Sequence, residues 1–178
     1  MKKGFTIIEV SLVLAIAGLI FLMVFIALPG LRASQRDTSR RENVLSFIEN
    51  VKKYQNNNRG ALPTDTSVEI EVKDLNSSLG ATSWAAFYRD YFDTDRFRDP
   101  NGEFYKLVVR DCGSDTVGSP CTDGRLDEPV NTFFPNDYRM YVVKQATCDG
   151  EKATRTANPR KIAVLYKLEA AGIYCANT

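Results

Sequence analysis

A chain of 178 residues, 44% hydrophobic and 25% charged, holds enough apolar material for one ordinary domain plus a separate anchoring segment, and a second globular domain does not fit. Its formal charge of +1 gives no field over the whole molecule that would attract nucleic acid, so a DNA partner would need a local basic patch. The absence of histidine removes the usual general base, the commonest metal ligand and every Ser-His or Cys-His nucleophile, which argues against an enzyme and against a resident cofactor.

No residue from Val10 to Leu31 is charged, and Leu12 to Leu28 is an unbroken apolar run, long enough as a helix to cross most or all of a bilayer core. A secretory signal peptide would carry a shorter apolar stretch, a small-residue cleavage site and a polar mature start. Here a short basic leader, Met1-Lys2-Lys3-Gly4, meets Phe5-Thr6-Ile7-Ile8-Glu9 with no apolar region between them. In this GFTIIEV stretch the chain resembles the type IV pilin family: a glycine precedes the processing point, a phenylalanine follows it, and a glutamate stands four residues further on. The resemblance implies cleavage by a prepilin peptidase between Gly4 and Phe5, methylation of the freed Phe5 amine, and a role for Glu9 in assembly.

A carboxylate at the head of an apolar helix costs several kcal/mol in lipid unless it finds a partner. In the processed chain the Phe5 amine is a cation in the same layer, and pairing Glu9 of one subunit with the Phe5 amine of its neighbour would neutralise both while fixing register. Gly18 also follows the family pattern, as a small residue that lets neighbouring helices approach. Pro29-Gly30 removes a backbone donor and is expected to kink or loosen the helix; the family's major subunits often place such a proline nearer the position of Ile26. Arg32, Arg36, Arg40 and Arg41 follow, outnumbering Lys2 and Lys3 on the other side of the span. That count alone would place the globular part inside, whereas the leader and the cysteines place it outside. The four arginines are expected to meet acidic groups of neighbouring subunits, anionic headgroups or solvent.

Beyond Pro29 the pattern turns amphipathic, with Val44, Leu45, Phe47, Ile48, Val51 and Tyr54 at three- and four-residue steps. Asn56-Asn57-Asn58-Arg59-Gly60 with Pro63 stops the helix, which from Phe5 to Asn56 would run about 78 Å at 1.5 Å per residue. Tyr54 to Thr64 also resembles the place where pilins leave their long helix. An exposed strand is predicted over Val68–Val72, and a short helix capped by Ser83 runs through Trp84, Phe87, Tyr88 and Tyr91. These aromatic residues at helical spacing belong to a core. Asp99-Pro100-Asn101-Gly102 is strong turn chemistry, and its continuation to Tyr105 resembles a pattern seen in pilin-like proteins before their sheet. Strands follow at Glu103–Arg110, Arg139–Ala146 and Ile162–Leu168, expected to pair antiparallel and to receive the amphipathic half of the long helix.

Cys112, Cys121, Cys148 and Cys175 stand at no CxxC-like spacing, which favours disulfides outside the cytoplasm over zinc. Three complete pairings are open; the short Gly/Pro/Ser-rich interval between the first two favours Cys112 with Cys121 and Cys148 with Cys175. Asp111, Asp115, Asp123, Asp127 and Glu128 surround the first pair, and such oxygen ligands would suit calcium, but their spacing matches no EF-hand loop and reads as a solvated acidic loop. Asp93-Thr94-Asp95 is a weaker case of the same kind.

The expectation is an α+β chain: a leader over 1–4, a transmembrane and filament-core helix over 5–30, its amphipathic half over 31–58, and a disulfide-stapled head over 59–178 packed as a small antiparallel sheet in a pilin-like ladle. The resemblance implies a structural pilus subunit, held in the cytoplasmic membrane before assembly and exposed on a cell-surface fibre afterwards. Its implied partners are a prepilin peptidase, a membrane platform protein, an assembly ATPase and other pilins. The rival reading is a minor pilin or pseudopilin that binds DNA, a surface or a secreted substrate from a tip or a secretion machine. Charge offers DNA little support, and the choice between adhesion, motility, uptake and secretion lies in surface chemistry that this one sequence does not reveal.

Overall fold

The computed structural model describes residues 4, 6–65, 69–71, 80–93, 95–113, 115–121, 138–170 and 172–178. Its dominant element is α1, Ile7–Asn57, a single helix of 51 residues. Thr6 caps its start, and after the C-cap Asn58 the left-handed Arg59 (φ 54°) and Gly60 (φ 82°) turn the chain away. Helical geometry continues through Pro29, so the loosening expected there does not interrupt the element. The proline ring does leave the Phe25 carbonyl without its donor four residues on.

In the second half of α1 the residues Asp37, Arg40, Val44, Phe47, Ile48, Val51 and Tyr54 are buried, a stripe at three- and four-residue steps. The stripe lies on a five-stranded sheet ordered β1-β2-β3-β6-β7, made of β1 (Glu69–Glu71), β2 (Lys106–Asp111), β3 (Arg139–Lys144), β6 (Ile162–Lys167) and β7 (Ile173–Asn177). A separate hairpin pairs β4 (Ala146–Asp149) with β5 (Lys152–Arg155) through a two-residue turn, in which Gly150 takes φ 60° as twist-matched hairpin turns require. The short helix α2, Trp84–Tyr91, begins at Ser83, whose hydroxyl accepts a hydrogen bond from the Ala86 amide at 3.1 Å.

Several expectations are corrected. The sheet is not wholly antiparallel, because β2 and β3 run parallel with Leu107 opposite Met140. The strand predicted as exposed over Val68–Val72 is present at Glu69–Glu71 as the edge of this sheet, antiparallel to β2 and with Ile70 buried; the predicted ends Val68 and Val72 lie outside the described residues. The strand predicted from Arg139 stops at Lys144, where the left-handed Gln145 (φ 56°) redirects the chain into β4.

Both faces of the sheet are covered. Leu107, Val109, Met140, Val142, Ile162, Val164 and Tyr166 pack under α1 and α2, with Trp84, Phe87 and Tyr88 completing that core. On the other face Val143, Ala163 and Leu165 pack with Ala146, Ala153, Cys112 and Cys121. This double coverage is why IAVLYK of β6 reads as a continuous apolar run instead of an alternating one.

Candidate functional site

The first half of α1 stands free of the other described residues. Its most apolar 18-residue window has mean hydropathy 2.9 with none of its surface buried, so the helix is long and apolar enough to cross a membrane. Ile7, Leu14, Phe21 and Phe25 are all well exposed. At the head of this span Thr6 and Glu9 form a capping box, a signature that sequence reasoning missed although threonine followed three residues later by glutamate spells it out. The Thr6 amide donates to Glu9 Oε2 at 2.9 Å, and the Thr6 hydroxyl donates to the same oxygen at 2.8 Å. In return the Glu9 amide donates to Thr6 Oγ1 at 3.4 Å. A shallow groove beside the carboxylate is lined by Glu9, Val10, Val13 and Leu14. Gly4 is exposed, and Phe5 lies outside the described residues.

Among the described residues nothing lies within 4 Å of where a Cβ would stand on Gly18 or Gly30, so none of them requires either to be small. Ser11, the other polar group in the span, returns its hydroxyl to the Ile8 carbonyl at 3.0 Å.

No family model, curated protein or solved structure matches this chain.

Where α1 meets the head, a buried ionic cluster joins three distant parts of the sequence. Arg40, 6% exposed, donates from Nε to Asp99 Oδ2 at 2.8 Å and from Nη2 to Asp99 Oδ1 at 3.2 Å. Its Nη1 reaches Asp37 Oδ1 at 3.0 Å and Glu169 Oε2 at 3.2 Å. Tyr166 donates its hydroxyl to Asp99 at 2.9 Å, while Asp37 accepts the Glu169 and Ala170 amides at 2.7 and 2.9 Å. One turn earlier Arg36 Nε holds Glu169 at 2.7 Å, and one turn later Asn43 donates to Tyr105 Oη at 2.8 Å and to the Arg98 carbonyl at 3.0 Å. Burial pulls the Arg40 guanidinium down, and the hydrogen bonds and charge of Asp99 outweigh it, so the net shift is upward. The hydrogen bond from Arg36 holds the Glu169 carboxyl below its ordinary value.

The four arginines therefore behave differently from one another. Arg36 and Arg40 are engaged inside the chain, correcting the expectation that they reach outward. Arg41 lies 5.5 Å from the centre of the Tyr174 ring. Arg32 is exposed.

The head is closed by two disulfides, Cys112 to Cys121 with Cα atoms 5.3 Å apart and Cys148 to Cys175 with Cα atoms 5.8 Å apart. The second ties β4 to β7. Within the first, Gly118 donates to the Arg155 carbonyl and Cys121 to the Ala153 carbonyl, so the loop docks along β5. The carboxylate of Asp115 sits within 4.8 Å of both sulfurs of that bridge, but oxidised sulfurs offer a cation no thiolate. Asp111 accepts the Gly113 amide at 2.9 Å, and Asp123, Asp127 and Glu128 lie outside the described residues. Asp93 and Asp95 pair with Arg96 and Arg98 on the surface, and Thr94 between them also lies outside the described residues.

Proposed function

We propose that this chain is a structural subunit of a type IV pilus filament, a ladle whose stem polymerises and whose head coats the fibre. The carrying observation is the free half of α1, uncharged through its apolar span except for a carboxylate positioned at its head, with the Ser11 hydroxyl returned to the helix backbone. Such a surface is stable in lipid or against copies of itself, and not in water. A prepilin peptidase would cut between Gly4 and Phe5, and the methylated Phe5 amine would then be the cation that Glu9 of an adjacent subunit requires.

The Thr6 cap gives this scheme a physical intermediate. While the subunit waits in the bilayer, two hydrogen bonds from Thr6 satisfy Glu9 Oε2, reducing the cost of holding a carboxylate at that depth. When a neighbour arrives, its amine adds a full charge that the threonine lacks, and its terminal aromatic ring has the groove of Val10, Val13 and Leu14 beside it. The platform protein and assembly ATPase implied by the resemblance would supply the work of extraction.

The test is to shear fibres from cells making the full chain and determine the amino terminus of their dominant protein. The expected terminus is methylated Phe5; a surface fibre that retains Met1 would defeat the assignment. A chain present at only a few copies per fibre would make it a tip subunit instead.

A further inference from the structure

Between Leu168 and Asn177 the chain is gripped from two sides. From the stem, Asp37 accepts the Glu169 and Ala170 amides at 2.7 and 2.9 Å, and the Glu169 carboxylate meets Arg36 Nε at 2.7 Å and Arg40 Nη1 at 3.2 Å. From the β4–β5 hairpin, Glu151 accepts the Ile173 amide at 3.3 Å, Cys148 is bonded to Cys175, and the Cys148 amide donates to Asn177 Oδ1 at 3.3 Å. A Cβ on Gly172 would collide with the Glu151 carboxylate, so the hairpin tip sits directly against this segment. The support matters because β7 is the last strand of its sheet, paired to β6 alone, and the ladder closes with the Leu168 amide on the Gly172 carbonyl. In that antiparallel pattern the Ile173 amide points away from β6, and the hairpin supplies its acceptor.

The two disulfides differ in access. Cys112 and Cys121 are 0% and 7% exposed, whereas Cys148 and Cys175 are both half-buried. A thiolate must reach a sulfur to open a bridge, so the second bridge is the one that a reductant meets first.

We propose that the Cys148–Cys175 bridge is a redox-controlled clamp: a dithiol reductant opens it and thereby loosens the stem's grip on the head at Glu169 and Ala170. One thiolate of the dithiol attacks a sulfur of the bridge, forming a mixed disulfide and releasing the other cysteine as a thiolate that takes up a proton. The second thiol of the reductant, as thiolate, then displaces the remaining cysteine, which is protonated in turn. The reductant leaves as its cyclic disulfide, two electrons having passed to the bridge. Without the bond, the hairpin tip is left with exposed hydrogen bonds such as those from Ile173 to Glu151 and from Cys148 to Asn177. Once Glu151 leaves the Ile173 amide, the segment that carries Glu169 to Asp37 and the two arginines loses its support on the far side. Arg40 keeps Asp99, and Asp99 keeps Tyr166, so the head stays folded while its hold on the stem weakens. The clamp belongs to the folded chain itself and does not depend on the pilus reading.

The test uses the detergent-solubilised full chain in three forms: oxidised, treated with dithiothreitol, and carrying Cys148→Ser with Cys175→Ser. Amide hydrogen exchange is read residue by residue. In the reduced chain and in the variant, the Glu169 and Ala170 amides should exchange at least about tenfold faster than in the oxidised chain. The Gly60 amide on the Gln55 carbonyl and the Phe87 amide on the Ser83 carbonyl should stay within about twofold of their oxidised rates. Thiol labelling during reduction should mark Cys148 and Cys175 before Cys112 and Cys121. Unchanged exchange at Glu169 and Ala170 with the bridge open would overturn the coupling. A rise of equal size at Gly60 and Phe87, which marks global unfolding, or labelling of Cys112 and Cys121 first, would overturn the clamp as well.

Discussion

Arg40 donates hydrogen bonds to three carboxylates from three parts of the chain, with almost no surface exposed to water. Its removal would leave Asp99, itself 2% exposed, as a buried anion supported by Tyr166 and the Asn101 amide alone. Arg40→Met is therefore expected to destabilise the head by about 3–5 kcal/mol, and Arg40→Lys to recover little, since an ammonium cannot match the two parallel bonds to Asp99. Thermal unfolding of the detergent-solubilised chain, followed by Trp84 fluorescence, measures this; an unchanged midpoint would show the cluster to be energetically idle. At the exposed end of the cluster the pH dependence has a definite sign. Glu169 is held below its ordinary value of 4.5, so its contribution is complete above that value and is lost as pH falls through the lower, folded-state value. Glu169→Gln should flatten stability against pH in that acidic window and leave the neutral region unaltered. Nothing in the sequence singled out Arg40, because a charge in an amphipathic helix reads as solvated until the segments that bury it are known. The Asp37-x-x-Arg40 spacing and the turn at Asp99 were visible; their meeting was not.

At the scale of elements, the second disulfide ties the hairpin β4–β5 to the edge strand β7, adding to the packing of Ala146 and Ala153 on the sheet. Outside that bond β4 and β5 are short and only partly buried, and an isolated two-stranded ribbon is marginal in water. Cys148→Ser with Cys175→Ser should cost about 2–5 kcal/mol and increase proteolysis near the Gly150 turn, read by limited digestion of the full chain. A head as resistant as before would mean that hairpin packing alone suffices. Long elements were legible and paired ones less so. The periodicity of α1, its stop at Asn58-Arg59-Gly60 and the Ser83 cap of α2 are local features, encoded within a few residues of where they act. The parallel match of β2 with β3 depends on two segments separated by 27 residues, and no local signal specifies direction. β4, β5 and β7 lack strong polar-apolar alternation and were not predicted; the Asp149-Gly150 pair at the hairpin turn is the signal that could have found β4 and β5.

At the scale of the whole molecule, the chain joins a packed head to an exposed apolar stem. The head is a double-faced sheet stapled by disulfides, whereas the lower stem has no packing partner among the described residues. Association through the stem is thus expected to depend on Glu9 and not on how well the head folds. Glu9→Val removes the charge that a neighbour's amine would neutralise while keeping the span apolar, so membrane insertion and head melting should persist and fibre yield should fall to background. Normal fibres from that variant would remove Glu9 from the assembly site. Conversely, Arg40→Met should weaken the head first and fibres only as a consequence.

The long-range wiring of Arg40 has a bearing on biosynthesis. Its partners Asp99, Tyr166 and Glu169 lie far downstream, so on the ribosome the greasy stem emerges, and would enter the bilayer, well before any of them exists. Until then the guanidinium has only Asp37 and water for company, and on the pilus reading the nascent stem would be free to pivot about its exit point from the membrane. Rigidity arrives late, when the distal strands come home and lock the lever to its handle.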